Sequence, residues 1–123
     1  MNKLDQAEAL KLRTKQFAIR IVGVVRCLPR TREGDVIGKQ LLRCGTAVAA
    51  NYRAVCRARS KAEFISKISI VVEEADETVF WLELLADTAV VPPEKVSLLL
   101  KEANELRAIC AASLRTAKDN RAA

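Results

Sequence analysis

The sequence has no histidine and few aromatic, glycine or proline residues. Its 123 residues include three Phe, one Tyr, one Trp, four Gly and three Pro. Without histidine, the commonest general base in enzymes and the imidazole ligands of metal sites are missing. With so few glycines and prolines there is little material for turns. The chain is therefore expected to fold as a small number of long helices.

Several sequence features that mark particular classes of protein are also absent. No apolar run approaches the roughly 18 residues that span a membrane, and the N-terminus lacks the apolar stretch of a secretory signal, so we expect a cytoplasmic protein with no membrane contact. Neither G-x-G-x-x-G nor G-x-x-x-x-G-K-[ST] occurs. The acidic residues do not form the two Glu-x-x-His motifs of a di-iron bundle. We expect no enzyme activity, no metal and no cofactor.

The spacing of apolar residues predicts four helices in a single domain spanning residues 1–123, at about 5–28, 35–57, 61–88 and 93–117. Asp35 is the predicted N-cap of the second helix. Ser60 and Glu63 form a capping box at the start of the third, and Pro93 suits the first position of the fourth. Four amphipathic helices with short connections predict an all-α fold, an up-down-up-down antiparallel four-helix bundle.

The four cysteines lie on or beside the apolar stripes and form no C-x-x-C pair. They are interpreted as small buried hydrophobic residues in a reducing compartment. An interhelical disulfide stays open as an alternative, without support from the spacing. The residues concerned are Cys27, Cys44, Cys56 and Cys110.

Charge is segregated along the chain, whose net charge is +6. Residues 60–89 hold seven acidic and two basic side chains, whereas residues 34–59 hold one acidic and five basic. On the second helix the basic residues fall within about 80° of one another, opposite the core face. Such a stripe is a phosphate-binding footprint, although it is equally consistent with a solvated face or with contacts to an acidic neighbour. The candidate nucleic-acid-binding residues are Lys39, Arg43, Arg53, Arg57 and Arg59.

On the side away from its core stripe, the third helix carries acidic residues interleaved with four apolar ones, Ile70, Phe80, Trp81 and Leu84. A contiguous apolar patch with an aromatic residue usually marks an interface. We therefore predict a head-to-tail contact between this face and a basic, apolar face of another copy, which forms a ring if the angle closes. The alternative is that helix rotation packs Trp81 against a neighbour within the bundle. The predicted oligomer-interface residues are Ile70, Glu73, Glu77, Trp81 and Leu84.

Several segments resemble the family of 23S rRNA-intervening-sequence proteins, which are four-helix bundles. The resemblance covers about residues 15–115 and is carried by the segments 28–29, 40–43, 46–53, 59–64, 74–77 and 81–84. Members of this family are similar in fold to the accessory variability determinant of diversity-generating retroelements, a pentameric barrel that works beside a reverse transcriptase and its RNA. The resemblance implies a homopentamer and nucleic-acid binding on a basic surface.

The sequence thus predicts a non-catalytic homo-oligomer that binds the RNA or DNA backbone without sequence specificity. Aromatic residues for base stacking are almost absent from the basic helices, so binding should be directed to phosphates and sensitive to salt. The alternative is a protein-assembly scaffold, or an accessory subunit of a partner such as a reverse transcriptase, whose charges serve only protein contacts.

Overall fold

The protein is an all-α four-helix bundle. The computed structural model describes residues 2–122, with helices α1 (Lys3–Arg26), α2 (Arg32–Val55), α3 (Lys61–Asp87) and α4 (Ser97–Ala122), and a 3₁₀ turn at Pro93–Lys95 before α4. Helices that follow one another in the chain pack together, and α1 also contacts α4 less extensively. The predicted fold class is confirmed.

The core is aliphatic and continuous through all four helices. Each helix buries one stripe, as its sequence periodicity predicts. The most deeply buried large side chains belong to Phe17, Ile21, Leu41, Val48, Ile68, Val71, Leu82, Leu85, Val96 and Leu106. Burial of the aliphatic stripes is the main contribution to stability, because each fully buried side chain of this size contributes roughly 1.5–3 kcal/mol.

Capping residues fix where α2 and α3 begin. The Ser60 hydroxyl accepts a hydrogen bond from the Glu63 N–H at 3.1 Å, so the predicted start of α3 is confirmed. The prediction for α2 was wrong: its N-cap is Thr31, whose hydroxyl accepts from the Gly34 N–H at 3.1 Å, and Asp35 lies in the first turn. Thr31 has the extended backbone that an N-cap requires, and it lies four residues before the predicted cap, Asp35.

The connection between α3 and α4 is the least regular part of the fold. Ala89 closes α3 with φ of +56°, a left-handed conformation that glycine usually adopts after a helix. Pro93 begins only a 3₁₀ turn, and the α-helix starts at Ser97, later than predicted.

Two of the four cysteines are buried and two are exposed. Cys44 and Cys110 are buried, and burial raises the pKa of the Cys110 thiol to about 11. Cys27 and Cys56 are exposed, so the prediction that all four are buried was wrong. Cys27 is the C-cap of α1 and Cys56 the C-cap of α2, and at a helix end the buried stripe no longer continues. All four are free thiols.

No helix within residues 2–122 is long and apolar enough to cross a membrane.

Candidate nucleic-acid interface

A shallow basic depression lies where the end of α2 meets the start of α3. Its cavity is about 540 Å³ and its cationic side chains come from three segments: α2, the α2–α3 turn and α3. From α2 it is lined by Ala50, Arg53 and Ala54, which share one helix face because the second and third lie three and four residues after the first, and Arg57 follows in the turn after α2. The cations of this basic depression are Arg53, Arg57, Arg59 and Lys67.

The floor of the depression is nearly free of side-chain bulk. Ala50 and Ala54 alternate with Arg53 and Arg57 along one side of the chain, from the last turns of α2 into the turn that follows it. Because alanine ends at Cβ, a ligand can approach the helix surface closely between the guanidinium groups. Rigid guanidinium forks around a bare surface suit the planar, bidentate recognition of phosphate oxygens.

The electrostatic balance of the depression is positive. Among residues 2–122, Glu63 is the single carboxylate that lines it, and Glu63 forms an ion pair with Arg59 Nε at 3.8 Å. That pair is loose and exposed, with 89% of the Arg59 side chain accessible to solvent, and such pairs contribute little. Within the described residues, Arg53, Arg57 and Lys67 form no ion pair. Three cations therefore remain available to an anionic ligand.

The structure divides the stripe predicted from the sequence. Arg43 donates hydrogen bonds to Glu74 at 3.3 Å and to Glu77, both on α3 of the same chain. The hydrogen bond to Glu77 raises the pKa of Arg43 above its already high ordinary value. Lys39 lies 14 residues before Arg53, roughly 21 Å away along α2. Only Arg53, Arg57 and Arg59 of the five predicted residues converge.

Lys67 was missed by the sequence analysis. It lies on the acidic third helix, four residues after Glu63, and the net charge of that segment concealed it. The short α2–α3 turn brings the first turns of α3 beside the last turns of α2, which places Lys67 next to Ala50 and Arg53. Glu63 and Lys67 lie four residues apart, so the sequence indicates that they share a face of α3. That this face adjoins Arg53 of α2 follows only from the packing of α2 on α3.

The predicted interface residues on α3 lie in different environments. Glu77 is bound to Arg43, Glu73 is exposed, and Ile70 is half-buried. Trp81 and Leu84 pack against the core rather than projecting from it. Trp81 therefore fits the alternative that it packs within the bundle, because α3 buries a wider arc than its central stripe. The interface role of the five predicted residues stays a prediction.

The exposed aromatic residue on α3 is instead Phe80, of which 52% is accessible. Its ring makes a T-shaped contact with the ring of Trp81, with centroids 4.9 Å apart and planes at 73°. The Trp81 indole N–H is buried without an acceptor among the described residues. Trp81 thus packs against Phe80 on the side of the core, and the Phe80 ring is the apolar group that α3 exposes to solvent.

Nothing in the described residues forms a metal site. No group of three or more Cys, Asp and Glu side chains within residues 2–122 is arranged to hold a metal ion.

Comparison with known proteins places the chain in a family. The family model for the 23S rRNA-intervening sequence protein matches residues 9–112. The chain belongs to this family. A crystal structure of a protein of unknown function, from the S23 ribosomal protein family of Bacteroides thetaiotaomicron, superimposes with a TM-score of 0.79 at 34% identity. The match covers 85% of this chain and 97% of that one. No curated protein matches the sequence.

The predicted family is therefore confirmed, and so is the bundle that it implied. The similarity to the retroelement accessory protein stays a prediction.

Proposed function

We propose that this 23S rRNA-intervening sequence protein is a non-catalytic homo-oligomer, a pentamer in keeping with the family resemblance, that binds the RNA or DNA backbone through its basic depression. The observation that carries the proposal is the convergence of Arg53, Arg57 and Lys67 on a bare helix surface without carboxylate partners. An unpaired cluster of this kind within one chain favours an anionic partner over internal pairing.

Phosphates, rather than bases, are the proposed contact. Within residues 2–122 the depression contains no aromatic side chain on which a base could stack, and Tyr52 is buried in the core. Guanidinium and ammonium groups bound to phosphates fix position without reading sequence. Binding should accordingly depend on salt and vary little with sequence.

The test is a titration of a labelled 20-nucleotide single-stranded RNA of mixed sequence, at 50 and 200 mM salt. Each of the four cations of the depression is taken to contact one phosphate, Arg59 included because its pair with Glu63 is loose and exposed. With a slope of about 0.7 per contact, affinity should fall about fiftyfold between the two conditions. The double variant Arg53→Ala/Arg57→Ala removes two contacts, so its affinity should be lower at 50 mM and should fall only about sevenfold with salt.

The matched control is Lys39→Ala/Arg43→Ala, which removes the same charge from the same helix outside the depression. We expect it to keep most of the wild-type salt dependence. An equal loss in both double variants would show that the footprint runs along the whole of α2. No binding at 50 mM would contradict the nucleic-acid proposal.

A scaffold or accessory subunit, for example of a reverse transcriptase, is the second candidate. The Arg43 contacts with Glu74 and Glu77 support it, because they pair part of the basic stripe within the chain and make that part less available to nucleic acid. An oligomer that does not bind RNA or DNA at low salt is the result that this candidate predicts.

A further inference from the structure

An apolar groove separates α1 from α4 at the end of the bundle where α1 begins and α4 ends. Its volume is about 750 Å³, and Tyr52 and Phe64 contribute to it from α2 and α3. The facing side chains include Ala7, Ser113 and Ala117, which are too small to close the gap between the two helices. The groove extends from Lys3 to Arg13 along α1, which is roughly 15 Å.

The charged side chains that line this groove are all positive. Lys3, Arg13 and Lys61 line it, and no carboxylate does so within the described residues. Arg13 is already held by Glu102 and Glu105, at 2.6 Å from each. Lys3 and Lys61 form no ion pair among the described residues. The groove therefore fits an apolar group that is accompanied by negative charge.

The same chain carries such a group on the outer face of α3. Phe80 stands among carboxylates that recur at spacings of three and four, so they share its face. One of them, Asp76, is bound to Arg107 at 2.6 Å, and the others form no ion pair within residues 2–122. This acidic stripe consists of Glu73, Asp76, Phe80, Glu83 and Asp87.

Phe80 cannot reach the groove of its own chain. It lies 16 residues after Phe64, the α3 residue that lines the groove, and this separation is roughly 24 Å along a straight helix. The two surfaces also belong to different faces of the bundle. A contact between them must join two copies, and because the surfaces differ it is head-to-tail.

We infer that Phe80 of one copy inserts into the apolar groove between α1 and α4 of the next copy, with the acidic stripe against Lys3 and Lys61. This inference rests on the proposed homo-oligomer and names its contact. It moves the aromatic anchor from Trp81 to Phe80, and it leaves the basic depression outside the contact. A central aromatic residue in an apolar pocket is the usual form of an interface hot spot.

Disulfide cross-linking tests the contact directly. In a background with the exposed thiols removed (Cys27→Ser/Cys56→Ser), Phe80→Cys and Ser113→Cys are made separately and mixed under mild oxidation. The expected product is a covalent dimer in the mixture and none from either variant alone. Val36→Cys, at a position that is 60% exposed on α2, replaces Phe80→Cys in the control mixture and should not cross-link.

Carrying Phe80→Cys and Ser113→Cys in one chain extends the test. Each copy then links to two neighbours, so the denatured product should be a ladder whose highest rung gives the number of subunits. Cross-links between two copies of the Phe80→Cys variant alone would overturn the inference, because they require a two-fold contact.

Light scattering separates this inference from the proposed oligomer. Phe80→Glu should reduce the mass to that of a folded monomer, while the matched Val36→Glu leaves the oligomer intact. A wild-type protein that is monomeric contradicts both the oligomer and the contact. An oligomeric wild type that neither cross-links nor dissociates with Phe80→Glu contradicts the contact alone.

Discussion

At the scale of single residues, two helical glycines differ in how closely other side chains approach them. Gly45 is crowded by a neighbouring helix, whereas Gly23 has open space beside its Cα. A Cβ added at Gly45 would lie 2.8 Å from both Cγ1 and Cγ2 of Ile21, which is fully buried. A Cβ added at Gly23 would have nothing within 4 Å. Gly45 therefore allows α1 and α2 to approach closely, whereas Gly23 has no packing role within the chain.

This contrast gives a prediction for the free energy of unfolding, measured by urea denaturation. Gly45→Ala should destabilise the protein by about 1–3 kcal/mol, because the core around Ile21 must shift to admit a methyl group. Gly23→Ala should stabilise it by about 0.5–1 kcal/mol, because alanine is the better helix former at an unhindered position. Equal effects of the two substitutions would contradict the close approach of α1 and α2.

At the scale of helices, side-chain caps decide where α2 and α3 begin. Thr31 and Ser60 each accept a backbone N–H from the residue three positions later, and both have extended backbone. Asp35 matches the composition of an N-cap but lies inside α2, where its backbone N–H donates to the Thr31 carbonyl at 2.9 Å. Capping thus depends on backbone geometry as well as on residue type.

The cap assignment predicts different costs for two neighbouring substitutions. Thr31→Ala should lower the free energy of unfolding by about 1 kcal/mol, because the Gly34 N–H loses its acceptor. Asp35→Ala removes only a favourable charge in the first turn and should cost no more than about 0.5 kcal/mol. Thermal unfolding followed by circular dichroism compares the two, and a larger loss for Asp35→Ala would restore the cap predicted from the sequence.

At the scale of the whole molecule, an ion-pair cluster joins the first and last helices where their apolar contact is limited. The Arg13 guanidinium donates to both carboxylate oxygens of Glu102, from Nε at 2.7 Å and from Nη2 at 2.6 Å, and Nη2 also donates to Glu105. The hydrogen bond from Arg13 lowers the pKa of Glu102 below its ordinary value of 4.5, against the opposing effect of burial. Glu102 is therefore ionised in the folded protein at neutral pH.

This cluster predicts a pH dependence of stability. Because the pKa of Glu102 is lower in the folded than in the unfolded state, its contribution is complete above its ordinary pKa of 4.5 and is lost as pH falls through the lower folded value. The stability difference between wild type and Glu102→Gln should accordingly be largest near pH 7 and shrink below about pH 4.5. Urea denaturation at several pH values measures it, and a difference that is constant with pH would refute the assignment.

The sequence alone determined the fold class and the family. Apolar residues at spacings of three and four identify the buried face of a helix before any neighbour is known, since that periodicity is local. Ser60 and Glu63 marked the start of α3 for the same reason, because a cap satisfies backbone groups within four residues. The family resemblance rested on the same local segments, and the match over residues 9–112 confirmed it.

Only the tertiary structure decided how the outer faces are used. Arg43 and Arg57 look equivalent on the helical wheel, but one meets Glu74 and Glu77 of α3 while the other lies in the basic depression. Trp81 and Phe80 are neighbours in sequence, yet Trp81 packs against the core and Phe80 is exposed. The physical reason is that periodicity fixes which side of a helix faces inward, whereas the pairing of residues across helices depends on the register and angle of packing, which no local pattern encodes.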